Sequence, residues 1–324
     1  MLPTNEKDCV VRNQKFKRAV LISNPQAGRN QGIRLQQIQN AIRELERGGT
    51  SVSAYETSKP GDGATLARSA IQAGAELVVV CGGDGSINEV VGGLAHSNVP
   101  LAVLPGGTAN VLARELGLPL DVSAAARTIS MSTPQRMALG RAGTRYFLLM
   151  AGIGFDARVV RGVDGRWKKR LGMASYFIEA VRQLLFEPLS PPFVLSAEGQ
   201  RSLVTFACIS KSQHYGPVRM VREADLFSDR FQVYCFHSTN PLRYFLYALA
   251  VLARRPARLP DFSQFRARKI YCEQIPSNGK TVYLQVDGEL AGQLPCTIEI
   301  VPDALTLLVP PQSRNGRGHL PRSH

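Results

Sequence analysis

The chain has 324 residues, of which 44% are apolar, and its 39 Lys and Arg outnumber 25 Asp and Glu for a formal net charge of +14. This length and apolar content predict two domains with cores of their own. The six cysteines and five histidines show no zinc-type spacing, and the N-terminus has no apolar signal core, which argues against a zinc protein or a secreted one and favours a reducing cytoplasm.

The first part of the chain alternates predicted strands and helices. The predicted strands are 18–23, 51–57, 77–81 and 99–104, and the predicted helices are 33–47, one opening at 60–63, 86–94 and 109–116. Right-handed crossovers between such units predict a parallel doubly wound sheet from residue 18 to about residue 116. Turns that follow parallel strands meet at one edge of the sheet, where ligands bind.

The most informative turn joins the strand 77–81 to the helix 86–94. Gly82, Gly83 and Gly85 offer backbone amides to a phosphate, whereas the carboxylate of Asp84 would repel it unless a cation lay between them. That combination indicates Mg²⁺ and phosphoryl transfer. A dinucleotide fingerprint is the rival interpretation, but it requires glycine where Asn88 stands. A glycine turn without a ligand is the other alternative.

A second glycine turn follows one unit later. Pro105, Gly106 and Gly107 end the strand 99–104, and Thr108 is predicted to cap the next helix. Thr108 and Asn110 can donate hydrogen bonds to phosphate or ribose oxygens. An ordinary capped helix explains this unit equally well.

The second half consists mainly of short strand-like runs, which predict an antiparallel sandwich. The predicted strands are 146–150, 193–197, 203–209, 231–236, 269–273, 281–286, 297–300 and 305–309. We expect polar tails at 1–16 and 312–324, an α/β domain at 17–135, a β-sandwich domain at 136–300, and at 301–311 a strand that returns to the first domain. Residues Thr133 and Pro134 are the expected crossing between domains.

From about Arg18 to Pro310 the chain resembles the bacterial diacylglycerol kinase-like lipid kinases, whose catalytic domain is shared with sphingosine and ceramide kinases. Five motifs in the same order carry the resemblance. They are Asn24-Pro25-x-Ala27-Gly28; Gly82-Gly83-Asp84-Gly85-Ser86-x-Asn88-Glu89; Leu104-Pro105-x-Gly107-Thr108-Ala109-Asn110 with Ala113-Arg114; Gly152-Ile153-Gly154-Phe155-Asp156-Ala157; and Val286-Asp287-Gly288-Glu289.

The resemblance implies an ATP- and Mg²⁺-dependent kinase with the nucleotide in the cleft between the domains and a lipid acceptor bound by the second. Asp84 would help to hold Mg²⁺, and Glu289 or Asp287 would deprotonate the acceptor hydroxyl. The implied nucleotide-binding residues are Asn24, Pro25, Ala27, Gly28, Thr57, Gly82, Gly83, Asp84, Gly85, Ser86, Asn88, Glu89, Gly106, Gly107, Thr108 and Asn110. Without the resemblance, a plain hairpin turn is the alternative interpretation of Asp287 and Gly288.

The chain departs from the family pattern at two places. Ser86 replaces a threonine and keeps its hydroxyl. Some relatives bind a structural Mg²⁺ in the segment 215–233; the candidates here are Asp229 and Asp225, but Asp229 is followed by arginine and the usual glycines are mostly missing. Diacylglycerol is the expected acceptor. The alternatives are a sphingoid base or ceramide, a soluble acceptor as in NAD kinase, and a non-catalytic nucleotide or lipid sensor.

The basic charge favours an anionic membrane over nucleic acid, since no recognition helix or aromatic RNA motif accompanies it. Basic residues cluster at 158–170, beside Trp167, and at 254–269. The apolar run 242–252 between them is too short to span a bilayer, which takes about 20 apolar residues. We therefore expect a cytoplasmic, peripherally membrane-associated protein, with a buried crossover helix as the other interpretation of 242–252.

Overall fold

A computed structural model of the chain describes residues 16–27, 31–163, 174–187, 190–215, 218–219, 221, 223–252, 261–275 and 280–311. Some predicted features lie outside these ranges, namely Gly28, Trp167 with the basic residues around it, the arginines at 254–258, and almost all of both tails.

The first half folds as the predicted parallel α/β sheet. Its elements are β1 Arg18–Ser23, α1 Gln31–Arg47, β2 Ser51–Glu56, α2 Asp62–Gln72, β3 Leu77–Gly82, α3 Asp84–Leu94, β4 Leu101–Pro105, α4 Val111–Glu115 and α5 Val122–Thr128. The strands pair in parallel in the order β2-β1-β3-β4. The central β3 is buried along its whole length, which explains its unbroken apolar sequence.

Helices cover both faces of this sheet. On one face, α2 and α3 pack against Val78 and Val80 of β3. On the other face, α1 and α5 pack against Leu77 and Val79. Neighbouring residues of one strand therefore point into different cores, as the alternation of side chains along a strand requires.

The second half contains the predicted antiparallel sandwich. Its elements are β5 Thr133–Ala142, β6 Arg145–Phe147, β7 Met150–Gly154, α6 Phe155–Gly162, α7 Ala174–Phe186, β8 Phe193–Ala197, β9 Gln200–Val204, β10 Phe206–Ser210, β11 His214–Tyr215, β12 Val218–Arg219, β13 Phe231–Phe236, α8 Pro241–Leu252, β14 Phe262–Ala267, β15 Lys269–Gln274, β16 Tyr283–Val286, β17 Glu289–Gln293 and β18 Cys296–Val309. One sheet has the order β14-β13-β10-β7-β16-β17. It shares a buried apolar core with β8, β15 and β18 of the other sheet.

The long strand β18 connects the two halves. Its first residues pair antiparallel with β15, and Leu307 near its end pairs in parallel with Leu101 of β4. The parallel sheet therefore continues into the sandwich as one sheet. The sequence predicted two strands here, whereas the structure has one strand with an irregularity between Val301 and Leu305.

Three other predicted strands differ from the structure. The predicted strand 146–150 is interrupted at Leu148 and Leu149, because their amides donate to the Asp287 carboxylate instead of to a neighbouring strand. The predicted strand 203–209 is divided at Thr205 into β9 and β10. The predicted strand 281–286 begins only at Tyr283. The strands β5, β7, β11, β12, β14 and β17 were not predicted.

Candidate active site

A cleft of about 360 Å³ opens at the carboxyl edge of the parallel strands. It is lined by residues that follow β1, β2 and β3, and by one residue of the sandwich. The lining residues are Asn24, Gln26, Ala27, Thr57, Ser58, Lys59, Pro60, Gly83, Gly85, Ser86, Glu89 and Glu289. The sheet topology thus brings together motifs that are more than 200 residues apart in the sequence, between 86 and 289.

The two glycine turns pack backbone against backbone. The amide of Gly106 donates to the Gly82 carbonyl at 2.8 Å. A Cβ added to Gly106 would lie 2.9 Å from the Gly82 nitrogen, and one added to Gly107 would lie 2.4 Å from the Gly83 Cα. Side chains cannot be accommodated at such distances. The contact between the turns therefore accounts for the glycines at 106 and 107, which do not line the cleft.

Asp84 begins α3, and its carboxylate caps the neighbouring helix α4. Its Oδ2 accepts a hydrogen bond from the Val111 amide at 3.1 Å, and its Oδ1 accepts one from the Leu112 amide at 3.2 Å. The predicted cap at Thr108 is wrong, because α4 starts later and Asn110, at its N-cap position, offers no side-chain cap. Burial raises the pKa of Asp84, and the two amides only partly oppose that rise.

Asp287 occupies the turn between β16 and β17 with a φ of 47°. Its Oδ1 accepts hydrogen bonds from the amides of Leu149 at 3.0 Å and Met150 at 2.9 Å, and its Oδ2 accepts one from Leu148 at 2.8 Å. Burial raises the pKa of Asp287 to about 6 against the effect of these amides, and the negative charge of Asp84 adds to the rise. The carboxylates of Asp84 and Asp287 therefore interact electrostatically.

Glu289, the first residue of β17, reaches the glycine turn from the sandwich. A Cβ added to Gly85 would lie 2.7 Å from its Oε1. Its Oε2 accepts a hydrogen bond from Nη2 of Arg145 at 2.8 Å, and Nη1 of Arg145 donates to the Leu290 carbonyl at 2.9 Å. The Glu289 side chain is 42% exposed. Its carboxylate is thus oriented by an arginine, open to the cleft and in contact with the turn.

Further polar contacts order the rest of the cleft. Nδ2 of Asn24 donates to the Ser86 hydroxyl at 3.0 Å, which ties the turn after β1 to α3. The Glu89 carboxylate accepts the Gly63 amide at 3.1 Å and holds the start of α2. Asn88 is buried, and its Oδ1 has no hydrogen-bond partner among the described residues.

The structure brings together only part of the predicted site. Asn24, Ala27, Thr57, Gly83, Gly85, Ser86, Glu89 and Glu289 line the cleft. The predicted residues that do not line it are Pro25, Gly82, Asp84, Asn88, Gly106, Gly107, Thr108, Asn110 and Asp287. Sequence reasoning missed Arg145, Gln26 and the lining residues 58–60, because Gln26 is the unspecified position of the motif 24–28 and the others lie outside the five motifs.

The donor set fits a magnesium ion shared with a phosphate ligand. The described part of the chain contains no group of three or more His, Cys, Asp or Glu side chains that could hold a metal by themselves. Mg²⁺ usually takes one or two carboxylates together with substrate phosphates and water. Asp84 can supply such a carboxylate, because a cation beside it would offset both the cost of burying its negative charge and its repulsion with Asp287.

The residues do not fit the second metal considered at Asp229 or Asp225. The Asp229 carboxylate is paired with the Arg268 guanidinium. The Lys211 side chain is fully buried beside it, and its Nζ donates to the Ser228 carbonyl at 2.5 Å. Burial lowers the pKa of Lys211 to about 8, while the charges of Asp225 and Asp229 oppose that fall. An ammonium group therefore supplies the cation in this loop.

Comparison with known proteins agrees with this architecture. The family model described as "Diacylglycerol kinase catalytic domain" matches residues 18–142, and the one described as "YegS C-terminal NAD kinase beta sandwich-like domain" matches residues 150–309. A diacylglycerol kinase of Staphylococcus carnosus is 28% identical over 309 residues, which cover 92% of this chain and 97% of that protein. One of Bacillus subtilis is 28% identical over 288 residues, which cover 86% and 92%.

Solved structures show the same fold. The crystal structure of a diacylglycerol kinase from Bacillus anthracis superimposes with a TM-score of 0.74 at 22% identity, covering 92% of this chain and 99% of that one. The two family models together span nearly all of the described residues, in the order that the five sequence motifs predict. The chain belongs to the bacterial diacylglycerol kinase-like lipid kinases.

Proposed function

We propose that this lipid kinase transfers the γ-phosphoryl group of ATP, with Mg²⁺, to a hydroxyl group of diacylglycerol or a related lipid. The observation that carries the proposal is the contact of the Glu289 carboxylate with Gly85. It places a proton acceptor beside a turn suited to phosphate, which is the arrangement that phosphoryl transfer to an alcohol requires. The names of the relatives, diacylglycerol kinase, support the choice of acceptor.

The nucleotide would bind at the carboxyl edge of the parallel sheet. The N-terminus of α3 opens into the cleft without a side-chain cap, and a helix N-terminus attracts phosphate oxygens. The hydroxyl groups of Thr57 and Ser86 and the ammonium group of Lys59 line the same cleft and can donate to phosphate or ribose oxygens. Among the predicted nucleotide residues outside the cleft, Asn110 holds the second glycine turn, since its side chain accepts from the Gly107 amide at 2.7 Å and donates to the Gly107 carbonyl at 3.0 Å.

Asp84 is the residue proposed to hold Mg²⁺. When bound, the ion neutralises phosphate charge and lowers the barrier to displacement at phosphorus. The carboxylate of Asp84 is preorganised for this, because its orientation is fixed by the first two amides of α4. Each carboxylate oxygen keeps a lone pair beyond the one that accepts an amide.

Glu289 is the proposed general base. During transfer, a bond forms between the acceptor oxygen and the γ-phosphorus, the bond to the β,γ-bridging oxygen breaks, and the hydroxyl proton passes to a Glu289 carboxylate oxygen. Asp287 is the less suitable base, because three backbone amides already engage its carboxylate. We assign Asp287 to positioning the hairpin that carries Glu289.

We further propose that the protein works in the cytoplasm, attached peripherally to an anionic membrane. The charge of +14 supports this attachment. No helix in the described part of the chain is long and apolar enough to cross a bilayer. Several described members of the two basic clusters are engaged within the protein: Arg158 pairs with Glu187, Arg268 with Asp229 and Lys269 with Glu299. The attraction would therefore depend on the basic residues outside the described ranges.

The acceptor is tested by incubating the protein with ATP labelled at the γ-phosphate and a panel of dioctanoylglycerol, sphingosine, ceramide and NAD. We expect labelled phosphatidic acid from dioctanoylglycerol and no comparable product from the others. Faster labelling of sphingosine or ceramide would reassign the lipid, and labelling of NAD alone would make this a small-molecule kinase. Nucleotide binding without any labelled product would identify a sensor.

A further inference from the structure

The helix α7 has its polar side against the protein and its apolar side in solvent. Ser175, Glu179 and Gln183, spaced four residues apart, are at most 8% exposed. Five large apolar residues of α7 are instead exposed by 46–78%: Phe177, Ile178, Val181, Leu185 and Phe186. Leu184, by contrast, is half-buried and packs against the core. A surface helix of a globular protein normally shows the opposite arrangement.

Polar contacts fix the helix in this orientation. The Glu179 carboxylate accepts hydrogen bonds from Arg182 at 2.8 and 2.7 Å. Nε2 of Gln183 donates to Glu179 at 2.8 Å and to the Arg158 carbonyl of α6 at 2.9 Å. A Cβ on Gly162 of α6 would lie 2.0 Å from the Glu179 carboxylate. The bonds of Glu179 to Arg182 and Gln183 lie within α7, whereas the contacts of α7 with Arg158 and Gly162 of α6 would break if α7 rotated to bury its apolar side.

The neighbouring helix α8 extends the same apolar character. Leu242 and Leu246, four residues apart, are 71% and 46% exposed, whereas Tyr244 and Tyr247 are 4% exposed. The two helices contact each other. With 13 and 12 residues they are roughly 20 Å long, short of the roughly 30 Å core of a bilayer. Such helices can lie along a membrane surface but cannot cross it.

We propose that the exposed faces of α7 and α8, hereafter the apolar face, dock on a bilayer that contains anionic lipid. Basic residues adjoin both helices in the sequence: Arg166, Lys168, Lys169 and Arg170 within eight positions before α7, and Arg254, Arg255 and Arg258 within six positions after α8. Apolar residues flanked by cations suit the interface of an anionic membrane.

A second copy of the chain is the less suitable occupant. A symmetric dimer through the apolar face would pair two chains that each carry these basic residues and a net charge of +14, and like charges oppose association. A bilayer with anionic headgroups attracts the same residues. The charge pattern therefore favours lipid as the partner.

The apolar face is also close to the proposed base. The helix α6 packs against α7 on one side and against β16 and β17 on the other. The Arg161 guanidinium of α6 lies 4.4 Å from the ring centre of Tyr283 in β16. One helix thus separates the apolar face from the strand that begins with Glu289. Docking there would bring an acceptor held in the bilayer near the catalytic cleft. Only this delivery of the acceptor to the cleft rests on the proposed lipid substrate.

The test is flotation of the full-length protein with vesicles of phosphatidylcholine containing phosphatidylglycerol, without ATP or diacylglycerol. The variant Phe177→Gln/Leu185→Gln should bind about tenfold or more weakly, because two large apolar contacts with lipid are lost. The matched control is Leu35→Gln/Met131→Gln, which changes two residues about half exposed elsewhere on the surface. The control should bind as the wild type does, and both variants should keep their melting temperature.

Three results would overturn the proposal. They are wild-type protein that fails to bind the anionic vesicles at low salt, variant and wild type that bind equally, and a wild-type dimer in analytical ultracentrifugation that the variant loses. Transfer to dioctanoylglycerol in detergent micelles is measured separately. If transfer persists while vesicle binding fails, docking is wrong and the proposed kinase activity stands. If transfer is absent while the protein binds vesicles, the proposed kinase activity is wrong and docking stands.

Discussion

Replacing Asp84 by Asn separates its proposed role at Mg²⁺ from its structural role at α4. The carboxylate caps α4 through two amides, and an Asn side chain has only one oxygen to offer them. Loss of a cap costs about 1 kcal/mol, and loss of a negative charge at a helix N-terminus adds about 0.5 kcal/mol. Burial already disfavours the charged form of Asp84, so a neutral side chain recovers part of that loss. We expect a net destabilisation of about 1 kcal/mol or less.

Such a loss cannot by itself account for the effect that we expect on catalysis. Transfer to dioctanoylglycerol should fall by at least about a hundredfold, since a ligand of the charge-neutralising ion is removed. The residual activity should require more Mg²⁺. The measurement is initial rate against Mg²⁺ concentration, with the melting temperature recorded for the same samples.

Asp121→Asn is the matched control. Asp121 caps α5 by accepting from the Ala124 amide at 2.8 Å, and its other oxygen accepts from Gln37 at 3.2 Å. Its replacement should lower stability to a similar extent and leave transfer unchanged. A folded Asp84→Asn variant with wild-type rate and Mg²⁺ requirement would refute the metal role. A loss of several kcal/mol would show that the carboxylate is mainly structural.

Three further predictions address the hairpin side of the cleft. Arg145→Gln should lower kcat about tenfold, with little change in the KM for ATP and a loss of stability below about 1 kcal/mol, since it frees the partly exposed Glu289 carboxylate. The control Arg201→Gln removes another partly exposed ion pair and should change neither kcat nor KM. Equal losses of kcat in both variants would contradict the positioning role of Arg145. The pKa of Asp287 in the folded protein, about 6, lies above its ordinary value of 3.8, so its protonated form stabilises the fold fully below pH 3.8 and about 3 kcal/mol of this stability is lost as the pH rises through 6. In denaturant titrations of the metal-free protein between pH 4 and 7, the free energy of unfolding of the wild type should therefore fall with pH relative to that of Asp287→Asn. Parallel pH dependences of the two proteins would contradict this prediction. Gly85→Ala should fold, because the added Cβ displaces only the flexible end of Glu289, and it should lose transfer activity, because that end carries the carboxylate of the proposed base. A fully active variant in the transfer assay would show that this carboxylate need not lie at the turn.

The sequence was informative where local pattern and connectivity act together. The apolar strand 77–81 and the glycine turn after it sufficed to predict a parallel sheet with a phosphate-type turn at its edge, because parallel strands place successive turns together. The strand-rich second half likewise predicted the sandwich. Both follow from periodicity and turn chemistry that adjacent residues carry.

Contacts made by residues that are distant in the sequence were beyond the same reasoning. The contact of Arg145 with Glu289 spans 144 residues and depends on how two hairpins meet. The capping of α4 by Asp84 spans 27 residues and takes the place of the local cap predicted at Thr108. Gly107 looked like a phosphate cradle in the sequence, whereas the backbone of Gly83 is what excludes a side chain there.

The apolar face shows a second kind of limit. Periodicity predicts which residues of a helix share a side, but it does not say which side is buried. For α7 the usual assumption that the apolar side faces the core is wrong, because Glu179 and Gln183 are held by α6. For α8 the burial of Tyr244 fits the interpretation of 242–252 as a buried helix, whereas Leu242 is exposed and the interfacial interpretation stays a prediction.

We propose above all that phosphoryl transfer takes place where Glu289 meets the glycine turn. The most direct measurement compares the wild type with Glu289→Gln, using calorimetry for ATP binding with Mg²⁺ and mass spectrometry for phosphatidic acid formed from dioctanoylglycerol. We expect the variant to bind ATP about as tightly as the wild type and to form almost no phosphatidic acid, since binding needs the turn and transfer also needs the base. Undiminished phosphatidic acid formation by the variant would contradict it.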